Sequence, residues 1–216
     1  MTVFSRLSKI SRVRKLELLE KCMKPAAHDK VLDVGAQVSS NSTDVQFVDW
    51  YPWKENVTAV NVSQEYLDAI KERYPVVNTR FADARRLPWP DKTFDVVFSN
   101  AVIEHVGNLQ DQRQMASEIM RVGKRWFVTT PNRWYPFEFH MRLPFVTWLP
   151  WHSYLRFSRL VRYDPSQRKY VFGSRYPATL RLMSAGDLKR CFPNSRVIKQ
   201  RVTPMAETLI VIGPKQ

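Results

Sequence analysis

The chain reads as an α/β protein built on a mostly parallel sheet with helices on both faces. Three observations predict this. Residues 94–98 (FDVVF) are apolar at successive positions, which leaves no wet face and suits a central strand covered on both sides. Short β-branched runs alternate with helix-length segments across residues 30–130. Polar residues, Ser99, Asn100, Glu104 and His105, crowd the carboxyl end of that central strand, where an open α/β sheet has its ligand crevice.

The elements follow in order. The opening residues are basic and free of acids (Arg6, Lys9, Arg12, Arg14), a composition shared with organelle transit segments, but they lack the apolar core of a secretory signal. Phe4, Leu7, Ile10 and Val13 recur at helical spacing, so this stretch is read as an amphipathic first helix. Residues 30–34 (KVLDV) form the first strand and run into Asp33-Val34-Gly35. The next alternate positions hold Gln37 and Ser39 instead of glycines, which argues against a dinucleotide whose pyrophosphate needs close backbone approach. Residues 38–56 are polar and then aromatic without a clean period, so any helix there is short or displaced.

Residues 57–62 (VTAVNV) are a second strand, 64–73 a helix stopped before Pro75, and 76–81 a third strand followed by Asp83. Two prolines in 87–93 exclude a long helix before the central strand. Residues 110–122 form a helix with Met115, Ile119 and Val122 on one side, and 125–130 a further strand. Residues 133–176 then interrupt the alternation with aromatics interleaved with arginines and broken by prolines 136, 144 and 150. This pattern suits a lid-like insertion in a single domain spanning 1–216, an interfacial membrane segment, or core under a loop. A capped helix (184–191) and a hairpin (196–202 with 208–212) close the chain.

Length and charge bound the function. The 216 residues suit one domain with an insertion, and no run approaches the roughly 20 apolar residues of a membrane span. Cys22 and Cys191 match no metal pattern and are read as reduced thiols of a cytoplasmic protein. The segment 121–201 carries 17 lysines and arginines against three acids (Glu138, Asp164, Asp187), which accounts for the whole net charge of +14. An anionic partner is therefore met through the carboxyl-terminal part: RNA, an anionic membrane surface or a phosphate-bearing substrate.

The stretch 83–106 pairs an acid and a small residue (Asp83-Ala84) with LPWPDKTFDVV and a loop ending in Glu104-His105-Val106. In this it resembles the class I S-adenosylmethionine-dependent methyltransferases, and the similarity extends over residues 30–130. TPNRW (130–134) and the FH and LPF to WLP segments (139–150) are similar to a subgroup of that family. The resemblance implies a Rossmann-like seven-stranded sheet whose last strand is antiparallel, with S-adenosylmethionine as cofactor. Asp33 and Gly35 would border its methionine end. Asn61 stands where the family commonly has a ribose-binding acid, with Glu65 as the alternative, and Asp83 with the Ala84 backbone would meet adenine. Ser99 and Asn100 would lie under the cofactor, and His105 would face the acceptor as a candidate base. The competing readings are a turn or cap residue for Asp33, a plain turn carboxylate for Asp83 and a packed histidine for His105.

The ubiquinone-pathway relatives carry a metal-binding acid where this chain has Ala101, so no metal site is expected. The acceptor is expected to be a small or lipid-linked molecule bearing a hydroxyl, met in the cytoplasm or peripherally at an anionic membrane. An RNA methyltransferase is the second reading, weakened by the lack of a recognisable RNA-binding module. A non-catalytic binding protein of the same fold is the third, motivated by Gln37, Ser39 and Asn61.

Overall fold

The computed structural model describes residues 3–39, 45–138, 141–164, 169–173 and 180–215. Helix α1 (Val3–Met23) leads into β1 (Val31–Val34), the single turn α2 (Phe47–Trp50), β2 (Val57–Asn61), α3 (Gln64–Arg73), β3 (Asn78–Phe81), β4 (Phe94–Asn100), α4 (Leu109–Val122) and β5 (Gly123–Pro131). Outside the main sheet lie β6 (Phe137–Glu138), β7 (Leu143–Pro144), α5 (Trp151–Leu160), β8 (Val161–Asp164) and β9 (Lys169–Phe172). The chain returns through α6 (Ala185–Cys191), β10 (Arg196–Gln200) and β11 (Thr208–Gly213).

The seven-stranded sheet has the order β10-β11-β5-β4-β1-β2-β3. The pairs among β1 to β5 are parallel, and β11 runs antiparallel to both β5 and β10. The strand order reverses beside β1, because the crossover after β3 carries the chain to β4 on β1's other side. That switch point places a crevice at the carboxyl ends of β1 and β4.

Each face of the sheet has its own core. On one, Leu32, Val97, Met115, Ile119 and Leu188 pack beneath α4 and α6. On the other, Val31, Val96, Phe98, Phe127 and Ile210 pack beneath α1, α2 and α3. Val97 and its neighbours Val96 and Phe98 thus serve opposite cores, as the strand's period of two requires. Helix α4 starts at a capping box in which the Asn108 side chain accepts from the Asp111 N–H and Asp111 returns the bond. The proline-containing turn after Asp83 is clamped to α4: the Leu87 N–H donates to Glu118 Oε2 at 2.7 Å, and Arg121 donates to the Leu87 and Trp89 carbonyls.

One expectation is corrected by the packing of α1. Ile10 is exposed and Val13 half-buried, while the side chains of Phe4 and Leu7 lie outside the described set. The buried face consists instead of Ser11, Lys15, Leu16, Leu19 and Met23, so its first half is polar. Beyond β5, the insertion has a small core of Met141, Val146 and Tyr154 with Leu180 and Leu182. Parts of it, residues 139–140, 165–168 and 174–176, lie outside the described residues.

Candidate active site at the end of the central strand

The loop leaving β4 separates two cavities. Ala101, just past the strand end, has φ +57, a left-handed conformation that non-glycine residues rarely adopt, and its N–H donates to the Thr129 carbonyl at 3.0 Å. This bend sends Val102, His105 and Val106 to one side and Asn100 and Ala101 to the other.

The first cavity, of about 210 Å³, is open to the carboxyl ends of β1, β2 and β3. Gly35 forms part of its floor with φ +79, and a side-chain carbon there would sit 2.2 Å from Val102 Cγ2. Only glycine meets both demands. Asn61 lines the cavity and ties β2 to the loop after β1: its Nδ2 donates to the Ala36 carbonyl at 2.8 Å, and its Oδ1 accepts from the Ser63 N–H at 3.0 Å. Each end of the amide retains one hydrogen-bonding position.

Asp83, also in the wall, is gripped by Arg85, whose Nη2 lies 2.6 Å from Oδ2 and whose backbone N–H donates to Oδ1 at 2.8 Å. These bonds hold the Asp83 carboxyl below its ordinary range, so it is ionised and oriented. Arg85 reaches on to Asp111 at 3.0 Å and so connects this wall to the start of α4. Ala84, Val60, Val62 and Val102 supply apolar surface.

The second cavity, of about 410 Å³, lies over the ends of β4 and β5. Its walls come from the polar face of α1 (Ser11, Arg12, Lys15), from Tyr135 and Phe137 of the insertion, and from Val202 and Glu207 before β11. Lys15 Nζ donates to Asn100 Oδ1 at 2.8 Å, and the same oxygen accepts from Thr129 Oγ1 at 2.7 Å. Burial, followed by repulsion from Arg12, pushes the Lys15 ammonium down to about 8, against an upward pull from Glu104 and Glu207.

The expected site residues therefore divide. Gly35, Asn61, Asp83, Ala84 and His105 share the first cavity, with the His105 side chain exposed at its edge. Asn100 belongs to the second cavity. Asp33 lies in β1 at 4 % exposure, and burial pushes its carboxyl up to about 8. Ser99 is fully buried in β4, and its Oγ finds no partner among the described residues. Glu65 is exposed in the first turn of α3. Gln37 and Ser39 belong to a loop that folds back on α2, where the Ser39 N–H donates to Asp49 Oδ2 at 2.8 Å.

Residues 32–126 match a family model described as a methyltransferase domain. Over this segment the chain is similar to the S-adenosylmethionine-dependent methyltransferases. A probable S-adenosylmethionine-dependent methyltransferase of Mycolicibacterium smegmatis is 45% identical over 67 residues, 30% of this chain and 25% of that protein. The chain spans about a quarter of the length of the curated relatives it matches. In fold it is similar to the PH0226 protein of Pyrococcus horikoshii OT3, with a TM-score of 0.60 at 21% identity over 94% of this chain and 88% of that one. It is also similar to an S-adenosylmethionine-dependent methyltransferase of Clostridium acetobutylicum ATCC 824, with a TM-score of 0.57 at 12% identity over 92% and 89% of the two chains.

The first cavity suits an adenosyl group. It offers an ionised acceptor in Asp83, an amide in Asn61, apolar surface for a base, and a glycine floor. Among the described residues, the turn after β1 leads to the single turn α2 and not to a long helix whose amino terminus would hold a pyrophosphate. Sequence reasoning missed Lys15, Arg85 and Glu207. For Lys15 a signal was present: Ser8, Ser11, Arg12 and Lys15 recur at helical spacing as clearly as the apolar set does.

Proposed function

We propose that the protein transfers the methyl group of S-adenosylmethionine, held in the first cavity, to a hydroxyl of a small or lipid-linked acceptor held in the second. One observation carries this reading. Every residue lining the first cavity falls within the segment 32–126 that matches the family, whereas the second cavity takes only Asn100 and Ala101 from it. A shared donor site beside a chain-specific pocket is the division expected when cofactor chemistry is common and substrates differ.

The chain's own residues have separable tasks. Asp83 and Asn61 orient the adenosyl end by hydrogen bonding. Ala101 lines the second cavity and the adjacent Val102 the first, and this loop is where the acceptor would be aligned with the transferred carbon, an orientation effect that needs no base. His105, at the edge of the donor cavity, is the proposed base for an acceptor hydroxyl that reaches round this loop. The insertion is the proposed lid and membrane-facing surface.

Calorimetry with S-adenosylmethionine and S-adenosylhomocysteine tests the assignment. Both should bind the full chain, and Asp83→Ala should weaken each by about tenfold, the worth of one charge-assisted hydrogen bond, with little loss of thermal stability. Failure of the unaltered protein to bind either would instead favour a non-catalytic member of the fold. Once turnover is found, His105→Gln in the same assay should lower the rate without weakening cofactor binding.

A further inference from the structure

We propose that the second cavity recognises its acceptor by an anionic group, a carboxylate or a phosphate, countered by Lys15 and Arg12. The inference rests on the methyltransferase reading and adds the acceptor's class to it.

Lys15 is 9% exposed, and its Nζ lines the route between α1 and the end of β4. An ammonium has three N–H donors, and among the described residues Lys15 uses one, toward Asn100 Oδ1. A buried cation with two open donors is costly unless something accepts from it. Asn100 adds to the imbalance: two donors converge on its oxygen, from Lys15 and Thr129, which leaves its amide nitrogen as a further donor. Arg12 brings a second cation to the same wall one turn earlier on α1.

Two acids act on Lys15, and both have partners: Glu104, the stronger influence, is fully buried and accepts from Thr130 Oγ1 at 2.9 Å, and Glu207 is engaged beside Ser11. Glu207 Oε2 accepts the Val202 N–H at 2.9 Å, while Oε1 faces Ser11 Oγ and Gln200 Nε2 at 3.5 Å each. The same cavity is also lined by Pro131, Tyr135, Phe137 and Val202, which supply rings and aliphatic carbon. Donors and positive charge together with apolar surface in one cavity fit an amphiphilic anion. The groups whose charge bears on Lys15 are Arg12 on its own helix, Glu104 from the loop after β4 and Glu207 from the approach to β11.

Hexyl phosphate, hexanoate and hexanol are the probes, titrated calorimetrically into the full chain saturated with S-adenosylhomocysteine. Both anions should bind about tenfold more tightly than hexanol or better, as charge-assisted bonds require. Affinity for hexyl phosphate should fall as pH rises from about 7 to about 9.5, because the neutral amine loses its attraction for the anion. That profile needs no variant and stands even if a substitution disturbs folding. Lys15→Met should abolish the preference for anions while S-adenosylhomocysteine still binds, and Lys15→Arg should restore part of it. Equal binding of hexanol and the anions, no binding of either anion, or an unchanged preference in Lys15→Met would overturn the proposal. Anion binding without any S-adenosylhomocysteine binding would overturn the methyltransferase reading and leave the anion site standing.

Discussion

Asp33 shows how the burial of a single carboxyl ties stability to pH. Its carboxyl lies in β1 between β2 and β4, and burial raises its pKa from 3.8 to about 8. The folded state therefore holds a proton that the unfolded chain gives up above about pH 4. Stability consequently falls as pH rises through the window between the two values. Asp33→Asn removes this slope and should stabilise the fold by at least about 1 kcal/mol near pH 8, measured by chemical denaturation across pH. The same variant should bind the cationic S-adenosylmethionine several-fold more weakly, since a cation nearby favours the ionised carboxylate. A variant with the same pH dependence as the unaltered protein would show that Asp33 is not protonated in the folded state. At this scale the sequence was informative where one residue has one feasible conformation: Gly35 was readable because a turn followed a strand. Asn61 was readable as a position, but not as the tie between Ala36 and Ser63, which depends on partners on two separate segments.

At the scale of elements, most strands and helices were legible because their periodicity is local. The helix at 64–73 and the capped start of α6 coincide with their signals. The turn at 87–93 was legible only as non-helical. What fixes it is Glu118, 31 residues beyond Leu87 and, in sequence, merely part of an i,i+3 pair with Arg121. Glu118 holds its charge well because Arg121 and then the Leu87 N–H bond to it, so its contribution is present above the ordinary carboxylate range and lost as pH falls through the depressed pKa. Glu118→Gln should cost about 1–3 kcal/mol in denaturant unfolding at neutral pH, the range for a hydrogen bond to a charged group. Because the turn adjoins Asp83 and Arg85, cofactor affinity should fall with it. An unaltered midpoint would show that the clamp is dispensable. The apolar stripe read into α1 departs from the structure at Ile10, which is exposed: a polar set shares the helical period there, and tertiary packing buries Ser11 and Lys15 of it.

For the molecule as a whole, the basic excess and the exposed rings coincide. Phe145 and Trp148 form an edge-to-face pair at 4.8 Å, both largely exposed, and Arg142, Arg156 and Arg159 are exposed nearby in sequence. This motivates the proposal of reversible binding to anionic lipid vesicles. Each basic side chain contributes about 1 kcal/mol at such a surface, so flotation should succeed at low salt and fade as salt rises. Replacing Phe145 and Trp148 by serine should weaken it further at fixed salt. Binding to RNA but not to vesicles would sink the membrane proposal and promote the RNA one. The second cavity was the least legible feature, because its wall is drawn from α1, the end of β4, the insertion and the approach to β11, and no local pattern records such a convergence.

That convergence also orders assembly. The first cavity is complete once residues 34–106 have met, whereas closing the second brings Ser11 to Glu207 across 196 positions and Arg14 to the Arg201 carbonyl across 187. Loop closure on that scale costs entropy before any contact returns it, so such contacts form late. A refolding chain should thus recover affinity for the cofactor before it can discriminate among acceptors, and partial opening should lose the two abilities in the reverse order.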